Sequence, residues 1–248
     1  MSLAFLALRE IACGRFWPML AASLAGWALA TGLDHTILLP ILCTPDGHWT
    51  GGSTLVAAIS VNDWVKQALS WFAMLLAMMT PVIWQPLSHL WSRSLAQRRW
   101  RAATLFCCGY FTVWMAAVAI LTLGAVGLRV LSGGPLQSFA IAGIIALLWQ
   151  ATALKLKFRR RCHVLPPLPA FGWGAEAASL RFGAQIGGAC VGTCWAIMLV
   201  PLTAEAAHTP LMLVAAVLML AERYSEPRRF DVTRYVPVFG SLLPRRAA

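Results

Sequence analysis

The chain has 248 residues, 59% of them hydrophobic and only 12% charged, against roughly 45–50% apolar and about 25% charged in an ordinary soluble domain. That composition excludes a soluble globular domain. Twenty Lys and Arg against nine Asp and Glu give a net charge of +11, but the basic residues cluster between apolar runs too long for a globular core, which excludes nucleic acid as the partner and implies a multi-pass protein of the lipid bilayer.

In chain order, the hydropathy pattern predicts six apolar segments, near residues 16–38, 68–90, 102–128, 137–154, 182–204 and 208–224, followed by a basic tail at 225–248. The expected fold is therefore all-α, a polytopic membrane helix bundle of about six transmembrane helices forming one domain over 1–248. Six spans with short connectors use almost the whole chain, so no separate catalytic domain fits. The connectors test this assignment. Arg9 and Arg15 precede the first span, Arg93, Arg98, Arg99 and Arg101 follow the second, Lys155 to Arg161 and Arg181 follow the fourth, and Arg223 to Arg246 follow the sixth, which accounts for 18 of the 20 basic residues. The alternate connectors hold only Lys66 and Arg129. By the positive-inside rule both termini are expected in the cytoplasm of a bacterial inner membrane. A competing reading takes residues 1–30 as a signal peptide ending in Ala28-Leu29-Ala30, but the charge parity is better with the first segment retained.

Between the first two spans, Thr44 to Gly52 reads as a periplasmic loop, and Leu55 to Val65 as an amphipathic helix on the membrane surface, with Trp49, Trp64 and Trp71 as interfacial anchors. After the fourth span, Pro166, Pro167 and Pro169 break the chain, and Trp173 to Arg181 is expected to form a short interfacial helix leading into the fifth.

Seven cysteines, odd in number and irregularly spaced, make no disulfide framework. Cys13, Cys107 and Cys108 read as small buried hydrophobes. Cys43, near His35, Asp46 and His48, falls in a solvated loop. Cys190 and Cys194 differ, because four residues apart on a helix both thiols share one face, and Met198 continues the stripe one turn on. Counted from Arg181 at about 1.5 Å per residue, they lie about 13 and 20 Å into the membrane. Met78 and Met79 of the second span are expected at the same depth. Soft thiolate and thioether donors without carboxylates select copper(I). Gly183, Gly187, Gly188 and Gly192 form two offset small-x-x-x-small pairs that let another helix approach closely, which makes the fifth span the expected centre of the bundle and the second span its expected neighbour. Gln150 is expected to hydrogen bond between helices, and His89 and the Cys162-His163 pair suggest an inner exit site for a metal. No paired carboxylates, nucleotide loop or metallohydrolase helix occurs, so the chain is not expected to be an enzyme.

Several segments, taken in order, resemble a bacterial domain of unknown function described as predicted metal-binding integral membrane proteins. They are Trp71 to Pro81, Gly109-Tyr110 with Trp114, Ala142-Gly143 with Trp149-Gln150 and Leu154-Lys155, Gly183 and Gly187 with Cys190-Val-Gly-Thr-Cys-Trp-Ala-Ile-Met198, and Glu222-Arg223. The resemblance implies a polytopic inner-membrane protein with metal ligands at the family's cysteines. Where that family has two adjacent cysteines before the Trp, this chain has Thr193 and Cys194; where it has a cysteine pair after the fourth span, this chain has Phe158 and Cys162. The expected function is binding or handling of copper(I) by Cys190, Cys194, Met198, Met78 and Met79, with Cys162 as inner acceptor. The alternative is a non-catalytic accessory or assembly subunit packed against other membrane subunits. A redox enzyme using Cys190 and Cys194 ranks third, since thiol exchange favours Cys-x-x-Cys near water.

Overall fold

The computed structural model describes residues 17–34, 64–169, 172–204 and 208–225. Cys13, the Cys43 loop with His35, Asp46 and His48, Trp49, residues 55–63 and the tail from residue 226 lie outside them. Every regular element among the described residues is helical: α1 Trp17–Asp34, α2 Trp64–Met79, α3 Trp84–Arg93, α4 Arg99–Ser132, α5 Pro135–Ala151, α6 Ala153–Cys162, α7 Gly172–Thr203 and α8 His208–Tyr224, with one 3-10 turn at Ala96–Arg98.

Two expected straight spans are broken. The segment expected at 68–90 divides into α2 and α3, which meet at 80°. Pro81 cannot continue the backbone ladder, and the Met79 carbonyl instead accepts from the N–H groups of Val82 and Ile83 at 3.0 and 3.1 Å. The segment expected at 137–154 ends at Ala151, and α6 leaves at 71°. Thr152 causes this turn. Its backbone is extended at φ −75°, ψ 143° and its hydroxyl caps α6 by accepting from Lys155 N at 3.2 Å, a role for which Thr is well suited and which competes with helix continuation.

The fifth segment shows the opposite departure. Trp173 to Arg181 is no separate helix but the first turns of a single 32-residue α7. Its midpoint glycines do not break it because they are spent on packing: a β carbon on Gly183 would overlap the carbonyl of Phe106, and one on Gly187 would lie 3.1 Å from the carbonyl of Tyr110. Both face α4. The close neighbour of these glycines is thus α4, not the second span; α2 packs chiefly on α1, α4 and α8. Only α8 keeps its expected bounds, 208–224.

Helices α4 and α7 run parallel and are tied at both ends. Arg98 and Arg101 donate to opposite oxygens of Glu176 at 2.8 and 3.1 Å near their starts, and Arg129 donates to the Thr203 carbonyl at 3.1 Å near their ends. Between these ties run Phe106, Tyr110 and Trp114 of α4, fully buried, with Phe106 5.3 Å from the Phe182 ring. Helix α7 also contacts α5, α6 and α8, so it is the centre of the bundle as expected. The outward faces are apolar instead of polar: Ile120, Leu123, Leu131, Leu136, Leu147 and Leu148 are each more than 60% exposed. Among the described residues, two helices are long and apolar enough to cross a membrane, and up to four if each bent pair counts as one span. That is fewer than the six straight spans expected: the two breaks divide apolar runs into pieces of 17 residues or fewer, and the unbroken α1 and α8, at 18 and 17 residues, are not among the candidates.

Candidate metal centre

The α2–α3 turn, the C-terminal end of α6 and the inner end of α8 meet on one face of α7. There a cavity of about 20 Å³ is lined by Val82 and Ile83 from the α2–α3 turn, Tyr110 of α4, Arg159, Cys162 and His163 of α6 and its cap, Cys190, Thr193 and Cys194 of α7, and Met219, Glu222 and Arg223 of α8. The volume admits about one water molecule or one bare ion. Cys190 and Cys194, one helical turn apart, both line the cavity. The Tyr110 hydroxyl donates to Cys190 Sγ at 3.4 Å, and Cys162 Sγ lies 3.8 Å from Thr193 Oγ1. Cys162, Cys190, Cys194 and Met219 are all at most 6% exposed.

Of the six expected ligands, the cavity gathers Cys162, Cys190 and Cys194 and leaves out Met198, Met78 and Met79. These three methionines are buried in the common core, at most 1% exposed, but do not line the cavity. The methionine that does line it is Met219, which the sequence reading did not single out. A signal was available: Met212, Ala215 and Met219 recur at helical spacing on α8 and all are buried. The Tyr110, Glu222 and Arg223 side chains were also missed as site residues.

Polar groups surround the sulfurs. Lys155 Nζ donates to Glu222 Oε1 at 2.6 Å and also to Gln150 Oε1, so Gln150 bonds across the α5–α6 break and not to a neighbouring span. Arg159 donates to the Glu222 carbonyl at 2.9 Å, and Arg223 donates to the Cys162 carbonyl at 2.6 Å. His163 Nε2, Glu222 Oε2 and Arg223 Nε are buried without a hydrogen-bond partner among the described residues. Burial, followed by the neighbouring Arg223 and Arg159 guanidiniums, pushes the His163 imidazole below its usual pKa and keeps it neutral. His89 does not join this site; it contacts the Pro166 carbonyl at 3.3 Å. Cys107 and Cys108 are also elsewhere, half-buried and exposed.

The donor set suits a soft monovalent ion. No group of three or more His, Cys, Asp and Glu side chains able to hold a metal occurs among the described residues. Two adjacent thiols with a thioether nearby are enough for copper(I), which accepts two or three soft ligands.

An all-helical protein with a small sulfur-lined cavity is the class that these features define. The chain belongs to the PpoB2 family, described as copper chaperone, whose profile matches residues 68–243, the stretch holding every residue of the cavity. No curated protein and no solved structure matches the chain significantly.

Proposed function

We propose that this chain is a multi-pass protein of the bacterial inner membrane that binds copper(I) as cargo at Cys190 and Cys194, with Met219 as a further soft donor and Cys162 as the inner acceptor. The carrying observation is the convergence of these four sulfur residues on one cavity of about 20 Å³. Membership of a copper chaperone family supports the choice of metal. Met198, Met78 and Met79 pack the core around the site. The protein performs no bond-making chemistry in this reading; it holds an ion that water and oxygen would otherwise reach.

The membrane arrangement belongs to the same proposal. Six crossings, made by α1, α2 with α3, α4, α5 with α6, α7 and α8, leave both termini in the cytoplasm. Arg98, Arg101, Lys155, Arg159 and Arg223 then share the inner end, in line with the positive-inside rule. His163, neutral and beside Cys162, stands where an ion would pass between cavity and cytoplasm.

Two measurements test this. Purified wild-type protein should bind about one copper(I) per chain, and the Cys190→Ser/Cys194→Ser variant none, because a two-coordinate soft site cannot lose both thiolates. Copper content unchanged by the double substitution would leave only a scaffold, the accessory subunit of a larger complex. Reporter fusions after Arg101 and Arg161 should be cytoplasmic and one after Gly133 periplasmic; a reversed pattern refutes the arrangement.

A further inference from the structure

The charge balance of the cavity carries an inference about which ions it accepts. Two thiolates around one monovalent cation form a complex with one net negative charge, and an anion held in an apolar bundle is unstable unless a cation lies beside it. Two thiolates around a divalent cation are neutral and have no such need. The charged side chains at the cavity are Arg159, Glu222 and Arg223, with His163 beside them. Glu222 is matched by Lys155 at 2.6 Å, and Arg159, only partly buried, keeps a solvent-screened charge beside the Glu222 and Ser225 carbonyls at the inner end of α8. Arg223 remains. It is 7% exposed, its Nη1 is fixed by the Cys162 carbonyl at 2.6 Å, and its Nε is buried without a hydrogen-bond partner among the described residues.

We propose that Arg223 is the counter-charge of a metal dithiolate and selects monovalent soft ions, copper(I) and silver(I), over divalent ones at the Cys190–Cys194 site. This rests on the reading of those thiols as the cargo ligands. The guanidinium suits the role because it stays charged at any working pH and is more weakly hydrated than an ammonium. Held by the Cys162 backbone, it cannot swing away when the cavity is empty, so the field is in place before the ion arrives.

The test compares three ions that all accept two thiolates in line: copper(I), silver(I) and mercury(II). Affinities are measured by competition with chelators on the full-length protein in detergent, for wild type, Arg223→Gln and Arg223→Lys. In Arg223→Gln, copper(I) and silver(I) should each weaken at least about tenfold, the loss of one unit charge at short range in a poorly screened site, while mercury(II) changes less than about threefold because its dithiolate is neutral. Retained mercury(II) binding also reports that the variant is folded. A parallel fall for all three ions, or no change in any, overturns the proposal and makes Arg223 a structural strut. Arg223→Lys keeps the charge and should hold the ratio of copper(I) to mercury(II) affinity within about threefold of wild type. A collapsed ratio in the Lys variant overturns the charge account whether or not the Gln variant folds. The underlying site is judged separately: if Cys190→Ser/Cys194→Ser, with Arg223 intact, binds these ions as wild type does, the cargo ligands themselves are wrong.

Discussion

Helices α4 and α7 run parallel without interruption for 34 and 32 residues, while α2–α3 and α5–α6 turn through 80° and 71°. The uninterrupted pair satisfies its own backbone and uses its shared face for glycines, carbonyls and stacked aromatic rings. The interrupted pairs give up part of the backbone ladder, and what they gain is access: the turns bring Val82, Ile83, Arg159, Cys162 and His163 to a point that continuous helices would only pass alongside. Rigidity and chemistry are thereby assigned to different elements. Transport proteins make the same division when they build ion sites from discontinuous helices.

The sharpest way to break this division is at its rigid half. Gly183→Leu would drive a side chain into the Phe106 carbonyl, and overpacking against backbone that cannot move is expected to exceed about 3 kcal/mol, so no folded protein should be recovered from detergent. Gly188→Leu, where a β carbon meets nothing within 4 Å, should melt like wild type. If both variants fold equally, close approach of α4 and α7 is not what holds the bundle.

Next in size is the ion pair beside the second break. Lys155 and Glu222 side chains are 5% and 23% exposed, and Lys155→Met should cost about 3 kcal/mol by leaving a half-buried carboxylate without its partner. Adding Glu222→Gln should recover most of that loss, the signature of a coupled pair. Additive losses in a thermal-melt cycle would show the two groups to be independent.

Thr152→Ala tests the break itself. Losing the cap on α6 should cost about 1 kcal/mol and loosen copper(I) binding more than it lowers the melting temperature, since α6 carries Cys162. A variant with unchanged copper affinity would separate the break from the site. The smallest effect is expected for Tyr110→Phe, which removes the hydroxyl 3.4 Å from Cys190 Sγ. An O–H donor to sulfur is weak, and about 0.5 kcal/mol is expected, detectable as a shift in melting temperature of a degree or two.

The contrast also explains what was legible beforehand. Long apolar runs set the existence of α4, α7 and α8, and helical periodicity put Cys190 and Cys194 on one face, because both depend on residues near one another in the chain. The breaks were hidden for a different reason. Pro81 lies within an apolar run and Thr152 within another, and hydropathy averaged over a window does not register a single capping hydroxyl. The glycine pairs were visible, but their direction was not: Gly183 and Gly187 turn to α4, Gly192 would place a β carbon 2.5 Å from the Phe158 ring on α6, and Gly188 faces open space. Which face meets which partner is decided by the whole bundle, and for that reason the lining of the cavity by Met219 and Arg223 of α8, and not by Met78 and Met79, was not legible in the sequence.

Thr193 has a consequence for oxidation. Its hydroxyl bonds back to the Ala189 carbonyl at 2.8 Å and stands 3.8 Å from Cys162 Sγ. A cysteine in its position would face Cys162 at a separation from which two sulfurs can close to a bond of about 2 Å with little backbone movement. Such a bridge would sew α6 to α7 across the cavity and shut it whenever the surroundings turned oxidising. With threonine there, contact is kept and a bridge between these two positions is not available.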